Sequence, residues 1–311
     1  MITMRYHVVS LAAAFLALAV GVVLGSTALS GPLLSGLADD NGQLGQRVTR
    51  LEQERNGLDA KLAEADRFAG SIGPMAVRGQ LTDRTVLVVS TSDAHTGDRE
   101  ALVDLLGSAG ALVTAQVELT DAFTAPQQAD RLRDLVARSQ PAGAELPAGA
   151  DPGTRAGALI GTLLLLDGEN KAQATDDERA SALSALGSAG FVKVAENARP
   201  AQLAVVLGGG VVDDGDDSGD RAATVARFAT QLDRSGAGVV LAGRGGSAEG
   251  RGPIGVVRAD QAAASVLSTV DNADSAAGRV VTVLALREQV DGGSGRYGVA
   301  GNAQAPSPGT T

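Results

Sequence analysis

Residues 85–119, TVLVVSTSDAHTGDREALVDLLGSAGALVTAQVEL, contain the pattern that decides the fold. TVLVVS (85–90) is a continuous apolar run rich in β-branched residues, which is typical of a strand buried on both faces. DREALVDLLGSAG (98–110) predicts a helix, with an aspartate in its first turn and a glycine at its end. ALVTAQVEL (111–119) predicts a second strand. This order indicates a crossover between parallel strands.

The same alternation continues toward the C-terminus. Helical patterns occupy residues 125–139, 154–167, 176–190 and 220–235, and strand patterns occupy residues 191–194, 203–210, 237–243 and 279–286. Strands that alternate with helices of 10–15 residues predict a mainly parallel α/β sheet covered on both faces, in a Rossmann-like domain over residues 75–290. The remaining stretch, residues 291–311, is rich in Gly, Ser and Pro and predicts a disordered tail.

The N-terminal side begins with a long apolar segment. HVVSLAAAFLALAVGVVLGSTALSG (7–31) has no charged side chain and is long enough to cross a bilayer. We predict a transmembrane signal-anchor over residues 7–30; cleavage near Ser26–Ala28 remains the alternative. Because Arg5 lies on the short N-terminal side, residues 1–6 are expected in the cytoplasm and the rest of the protein outside it.

Small residues recur every four positions within this segment. Ala17, Gly21 and Gly25 form a small-xxx-small pattern, which allows two membrane helices to approach closely. Gly and Ala are also common in membrane helices that do not pair, so the pattern alone does not show that two helices pack through these residues.

A heptad pattern follows the anchor. Residues 36–70 predict a coiled-coil stalk, with leucine at the d positions and mixed residues at the a positions. The residues of this seam are Leu37, Asn41, Leu44, Val48, Leu51, Arg55, Leu58 and Leu62. Leucine at d favours a parallel homodimer, and a polar residue at a fixes the register. We expect the helix to end near Gly70–Pro74. A single helix folded on the globular domain and a rod that binds a partner helix are the alternatives.

Composition excludes several functional classes. The chain has 311 residues and a net charge of -10, so nucleic acid is an unfavourable partner. Aromatic residues make up 2% of the chain, which argues against a protein that binds bases or sugars by stacking. There is no cysteine, His7 and His95 are the two histidines, and Met1, Met4 and Met75 are the three methionines. A single chain therefore has too few soft ligands to build a metal site of its own. We also predict no catalytic residue and no bound cofactor.

Three loops after predicted strands are candidate ligand loops. Asp93 and His95 follow the first strand, where an Asp/His pair could act as acid and base. The second loop contains Gly208, Gly209 and Gly210, followed by an acidic stretch. It could bind a ligand, or it could be a solvated loop that caps a helix at Asp220. Arg244 and Arg251 stand among glycines that would let a ligand approach the backbone, or would simply make the loop flexible. None of these loops carries a recognised phosphate-binding or nucleophile motif.

Long stretches of the sequence resemble one family, the actinobacterial MctB-type copper transport outer membrane proteins. They are HVVSLAAAFLALAVGVVLGS, DAHTGDREALVDLLGSAGALVTAQVELTDAF, VARFATQL, GVVLAGRGGSAEGRGPIGVVRAD and TVDNADSAAGRVVTVLALREQVDGGSGRYG. The resemblance covers residues 1–298. It implies a part in copper efflux or homeostasis in the cell envelope, and it leaves an outer-membrane location open.

The resemblance also implies a second function. A relative in this family, SteB, acts in cell separation with a membrane partner, SteA, and its stalk helps to activate a peptidoglycan hydrolase. The residues themselves fit a copper channel poorly, because soft ligands are nearly absent and no run of alternating strands suits a membrane barrel. A membrane-anchored, non-catalytic scaffold that pairs with itself, with a SteA-like protein or with a hydrolase is therefore the alternative function.

Overall fold

The structure is a computed structural model that describes residues 4–195, 197–210, 215 and 217–309, with the backbone alone described for residues 27–42. The chain divides into two units, residues 1–65 and 66–311. Helix α1 (Met4–Ala76) makes up the first unit and contributes its last residues to the second.

Helix α1 contains an apolar segment, Met4–Ser26, that is long and apolar enough to cross a membrane. Helix α1 extends to Ala76, two residues beyond the predicted end near Gly70–Pro74. Packing in the second unit explains the difference. The backbone N–H of Ala276 donates to Oδ1 of Asp66 at 2.6 Å, and a Cβ on Gly73 would lie 3.1 Å from Val280. These contacts stabilise the last turns despite Pro74, whose missing N–H costs one helical hydrogen bond.

The second unit is an α/β domain. Its strands are β1 (Thr85–Thr91), β2 (Leu112–Leu119), β3 (Val192–Val194), β4 (Leu203–Leu207), β5 (Val239–Ala242), β6 (Ser268–Val270) and β7 (Arg296–Tyr297). Its helices are α2 (Thr96–Ser108), α3 (Asp121–Thr124), α4 (Ala129–Arg138), α5 (Pro152–Leu164), α6 (Asp176–Ser188), α7 (Ser218–Asp233), α8 (Pro253–Ala259), α9 (Gln261–Ala264) and α10 (Ala276–Val290). A 3-10 turn (Pro126–Gln128) precedes α4.

The strands form one seven-stranded sheet in the order β3-β2-β1-β4-β5-β6-β7. Strand β3 is antiparallel to β2, and every other neighbouring pair is parallel. The predicted α/β class with a mainly parallel sheet is confirmed. Because β1 lies between β2 and β4, the strand order reverses beside β1, which is the position where sheets of this kind open a crevice at their carboxyl ends.

Alternate residues of the central strands face two separate cores. Leu87, Val89 and Val206 pack with helices α4, α5 and α7 on one face of the sheet. Val88 and Val205 pack with α2 and α10 on the other face. This double burial explains why strands β1 and β4 are apolar at nearly every position rather than at every second one.

Helices α5 and α7 approach each other closely on the first face. A Cβ added to Gly157 would lie 2.6 Å from the carbonyl oxygen of Phe228, and one added to Gly153 would lie 2.5 Å from that of Thr224. A side chain at either position would therefore push the two helices apart. These glycines therefore allow the backbones of α5 and α7 to pack in close contact.

The interpretation of residues 279–286 as a strand is wrong, because these residues belong to α10. Ser275 begins this helix by accepting a hydrogen bond from the N–H of Gly278 at 2.9 Å. Helix α10 is enclosed by the sheet on one side and by the end of α1 on the other, so it is apolar on most of its surface. A short segment of such a helix has the same apolar pattern as a buried strand.

The prediction of a disordered tail from residue 291 is also wrong for residues 291–309. Arg296–Tyr297 form the edge strand β7, and the N–H of Gly298 donates to the carbonyl oxygen of Ala305 at 3.2 Å. Arg258 in α8 holds this segment. Its guanidinium donates to Oδ2 of Asp271, to Oδ1 of Asn302 and to the carbonyl oxygen of Tyr297, each at 2.7 Å. The hydrogen bonds and the ion pair of the buried Arg258 therefore hold the C-terminal segment in place of apolar contacts.

We expect Arg258→Met to lower the free energy of unfolding by about 3–5 kcal/mol, because it leaves the buried carboxylate of Asp271 without its cation. Urea unfolding of the full chain in detergent measures the loss. The matched control is Arg133→Met, which removes an exposed i,i+3 pair with Asp130 and should cost less than about 1 kcal/mol. Equal effects of the two substitutions would contradict a structural role of the Arg258 network.

A buried carboxylate makes stability depend on pH. Asp233, at the end of α7, accepts a hydrogen bond from the N–H of Val239 at 2.8 Å, and burial raises the pKa of its carboxyl group to about 6. The folded protein therefore holds a proton that the unfolded chain releases near pH 4. The stabilisation from this proton is complete below the unfolded pKa and is lost as the pH rises through about 6.

Asp233→Asn should accordingly raise the free energy of unfolding at pH 7.5 by up to about 3 kcal/mol and change it little near pH 4. The asparagine oxygen keeps the bond from Val239, so the substitution removes only the charge. Urea unfolding at the two pH values checks this, with the exposed Asp134→Asn as the control. A gain that is the same at both pH values would mean that the buried charge is not its cause.

Candidate functional site

A cavity in the second unit lies at the carboxyl ends of β1 and β4, where the strand order reverses. Its volume is about 490 Å³, within the range of small-molecule sites. Ala222, Val225 and Pro253 supply apolar wall, and Gly208 and Gly209 supply bare backbone. The described polar residues that line it are Thr91, Ser92, Asp93, Asp121, Thr124, Asp217, Ser218 and Arg221.

Asp93 is the acidic residue nearest the strand ends. Its Oδ1 accepts a hydrogen bond from the hydroxyl group of Thr91, a buried residue at the end of β1. Its side chain also lies against Gly209, where an added Cβ would be 2.7 Å from the carboxyl carbon of Asp93. The absence of a side chain at Gly209 is what leaves room for Asp93 at this place.

Two further carboxylates stand at the rim of the cavity. Asp121, just after β2, accepts a hydrogen bond from the hydroxyl of Ser92 at 2.6 Å and lies 3.9 Å from the guanidinium of Arg221. Asp217, just before α7, accepts from the amide of Gln127 at 2.7 Å. The described lining thus carries three carboxylates and one cation.

This charge balance decides which ligands the cavity favours. Three carboxylates against one guanidinium would repel a phosphate, even though the positive end of the α7 dipole lies at this edge of the sheet. A neutral hydroxyl-bearing molecule or an amine would find hydrogen-bond acceptors in Asp93 and Asp217. The charges of the cavity therefore favour a neutral or cationic ligand over a phosphate. The absence of a phosphate-binding motif in these loops agrees with this.

Asp93 and His95 have separate structural contacts. Nδ1 of His95 accepts a hydrogen bond from the N–H of Gly97 at 3.2 Å, so this side chain caps the start of α2. Asp93 instead faces Thr91 and Gly209. Each side chain of the proposed acid–base pair is thus held by its own local contacts.

The arginine loop lies beside the cavity rather than in its described wall. The N–H of Arg244 donates to the carbonyl oxygen of Gly209 at 3.1 Å, and its guanidinium lies 3.5 Å from Asp98. Gly210 is packed here as well, since an added Cβ would be 2.8 Å from the carbonyl oxygen of Gly245. Arg251 lies on the same loop before α8. The loop therefore supports the glycine turn, and Arg244 is already paired with a carboxylate.

The sequence pointed to the edge of the sheet where this cavity lies but missed part of its lining. Asp121 could have been found, because it directly follows a predicted strand and the carboxyl ends of parallel strands share one edge. Ser218 and Arg221 lie on α7 and carry no motif. The predicted cap at Asp220 is displaced, since α7 begins at Ser218. Asp213, Asp214 and Asp216, in the acidic stretch, lie outside the described residues.

The N-terminal candidates lie in the first unit. Ala17, Gly21 and Gly25 are exposed or half-exposed in α1, and a Cβ on Gly21 or Gly25 would meet no atom within 4 Å. The stalk residues from Leu44 to Leu62 are exposed, whereas the side chains of Leu37 and Asn41 lie outside the described residues. Helix packing through these positions stays a prediction.

Metal-binding groups are sparse in the part of the chain that the structure describes. Within it, no group of three or more His, Asp or Glu side chains is placed to hold a metal ion. His95 uses one ring nitrogen as a helix cap, and Met4 and Met75 are exposed on α1. A path of soft ligands for Cu(I) would need several such groups close together.

Comparison with known proteins covers nearly the whole chain. Residues 1–308 match the family model described as "Copper transport outer membrane protein, MctB". The curated "Copper transporter MctB" of Mycobacterium tuberculosis is 40% identical over 309 residues, which is 97% of this chain and 98% of the relative. The protein of the same name from Mycobacterium leprae is 38% identical over 312 residues, again 97% of this chain and 98% of the relative.

We expect Gly209→Ala to lower the free energy of unfolding by about 1–3 kcal/mol, because the new Cβ would meet Asp93. Asp93→Ala in the same chain should recover part of this loss, since it removes the carboxyl group from the contact. Urea unfolding of the two single variants and the double variant measures the coupling. Gly215→Ala, where a Cβ meets nothing within 4 Å, is the control. Additive effects would show that the two residues do not touch.

Proposed function

The chain belongs to the MctB family of copper transport outer membrane proteins, and from that premise we propose that it acts in copper homeostasis of the cell envelope. In this proposal the protein is an anchored, non-catalytic component that acts through its α/β domain and its stalk. It does not itself form the path for the copper ion.

The apolar segment of α1 supports an anchored location. Met4–Ser26 spans 23 residues, sufficient for a bilayer core of about 30 Å, and its side chains are exposed as lipid-facing side chains would be. Arg5 at its start favours an N-terminus in the cytoplasm, which places the α/β domain outside the cytoplasmic membrane. A retained helix of this kind favours the cytoplasmic membrane over an outer-membrane location.

The donor atoms support an indirect role in copper handling. Direct transfer of Cu(I) requires thiolate, thioether or imidazole groups at short intervals along a path. The chain has no cysteine and two histidines, and one of those histidines caps α2. Carboxylates such as Asp93 and Asp217 are hard ligands that suit Cu(I) poorly. We therefore infer that copper resistance depends on what the domain binds rather than on copper ligands of its own.

The contacts at the sheet edge also support a binding module rather than an enzyme. The hydroxyl of Thr91 is engaged with Asp93, the hydroxyl of Ser92 with Asp121, and the ring of His95 with the start of α2. A nucleophile held by a base, which acyl transfer requires, is not formed by these residues. The same cavity is suited to hold a small neutral molecule with hydroxyl groups, or an amine.

A deletion strain tests the proposal. Loss of the gene should increase copper sensitivity, and the wild-type protein should restore resistance. The variant Met4→Leu, His7→Ala, Met75→Leu, His95→Asn should restore it equally well, because asparagine keeps the cap on α2 and copper ligation is not required. A chain that lacks residues 4–26 should fail to restore copper resistance, because it has no anchor. The minimum inhibitory copper concentration is the measurement.

Purified wild-type protein should also lose Cu(I) to a chelator in competition. If the fourfold variant is folded but fails to restore resistance, copper passes through the protein's own ligands and the indirect role is wrong. If the deletion strain has normal copper resistance, the copper function itself is wrong.

A scaffold for cell separation is the second candidate function. The observation that favours it is the row of exposed leucines on the stalk, from Leu44 to Leu62, which is suited to bind a SteA-like protein or a peptidoglycan hydrolase. Scoring the same deletion strain for septal separation distinguishes the candidates. Chained cells with normal copper resistance would favour the scaffold, and separated cells with copper sensitivity would favour the first candidate.

A further inference from the structure

One face of residues 43–65 of α1 is apolar and exposed. The side chains at the heptad positions Leu44, Val48, Leu51, Leu58 and Leu62 are 49–71% exposed. Solvent-exposed apolar residues scattered singly need no explanation, but five at a and d spacing on one helix form a continuous stripe. Such a stripe is stable in water when another helix covers it.

Orientation limits which helix can cover the stripe. The apolar segment Met4–Ser26 lies at the N-terminal end of the same helix. If two copies are anchored in one membrane from the same side, as the proposed function requires, their helices run parallel. Identical positions then meet in register, and every leucine of the stripe faces its own counterpart. The leucines at d also favour two strands over three or four.

The charges beside the stripe fit a second copy of the same chain. In a parallel pair, a g residue meets the e residue five positions later on the other helix. Arg47 at g would then meet Glu52 of the second copy, which is an attractive pair. The next such pair, Glu54 with Asp59, joins two carboxylates and would repel.

Arg55 resolves this repulsion. It occupies the a position between Glu54 and Asp59, and its Nε already lies 3.7 Å from Oδ2 of Asp59 in the single helix. In the parallel pair, two Arg55 side chains would lie among four carboxylates at the same level. A shift of one helix by a heptad would set the two Arg55 side chains against Val48 and Leu62 of the other helix, so each guanidinium would face an apolar residue. The two Glu54 side chains would then meet acidic residues, Glu52 and Asp66, with no Arg55 pair at their level. A polar a position is a known device for setting register.

From the exposed stripe and these charges we propose that residues 43–65 form a parallel, in-register coiled coil with a second copy of this chain, and that Arg55 sets its register. The orientation rests on the proposed membrane anchor, whereas the pairing rests on the stripe.

Cysteine cross-linking tests the proposal directly, because the natural chain has no cysteine. Leu51→Cys and Leu58→Cys, at d positions, should each give a covalent dimer of the full chain in membranes upon mild oxidation with diamide. Gln53→Cys and Ala60→Cys, on the opposite side of the helix, are the matched controls and should give at least tenfold less. Cells that express differently tagged Leu51→Cys and Leu58→Cys chains should give few mixed dimers, since those positions are about 10 Å apart along the helix.

Variants of Arg55 test the register. Arg55→Glu should abolish cross-linking at position 51, because six carboxylates would meet at one level. Arg55→Leu should keep cross-linking at position 51 and increase the mixed 51–58 dimers several-fold, because nothing then opposes a shifted pair. Unfolding of the α/β domain should be unchanged in both variants, which excludes general misfolding.

Several results would overturn the proposal. Equal cross-linking at positions 51 and 53 would show that the stripe is not the interface, and absence of any dimer would show that a different partner covers it. Abundant 51–58 dimers in the chain with Arg55 intact would overturn the register. None of these results bears on copper resistance, so failure here is distinguishable from failure of the proposed function.

Discussion

Strand β1 is hydrogen-bonded along both edges to parallel strands, and this arrangement constrains the rest of the α/β domain. The chain leaves β1 toward β2 on one side and reaches β4 on the other only after a long excursion through helices. Because both neighbours are parallel to β1, helices must cross over both faces of the sheet, and the loops that leave β1 and β4 diverge at the same edge. The cavity beside Asp93 and Gly209 is a direct consequence of that divergence.

The sequence predicted the centre of this sheet well and its C-terminal edge poorly, for a physical reason. Strands β1, β4 and β5 are buried on both faces, and their central residues form continuous apolar runs that a sequence reading recognises as strands. Strand β6 contains Ser268 and Thr269, which are fully buried but satisfied by hydrogen bonds with Gln289 and Arg258. Its stability comes from polar contacts with distant residues, and no local pattern contains that information. Arg258 and the ordered C-terminal segment were missed for the same reason.

The candidate site shows the same division. Its position could be predicted, because the glycine turn after β4 and Asp93 after β1 must lie at the carboxyl edge of a parallel sheet. Its chemistry could not, because charge balance depends on which side chains from α3 and α7 reach the rim. Asp121, Asp217 and Arg221 come from separate parts of the sequence and together make the rim acidic. With these residues, the described rim disfavours phosphate.

Family membership and the chemistry of the residues lead to different expectations about copper, and the proposed indirect role reconciles them. A protein can control the copper content of a cell without binding the ion, provided that it positions or regulates a component that does. Such a role needs a fixed location, a surface for association and a module for recognition. Met4–Ser26, the stripe from Leu44 to Leu62 and the cavity beside Asp93 are suited to these three tasks in that order along the chain. Under that proposal copper specificity belongs to the assembly, and a chain with few soft ligands is compatible with a part in copper handling.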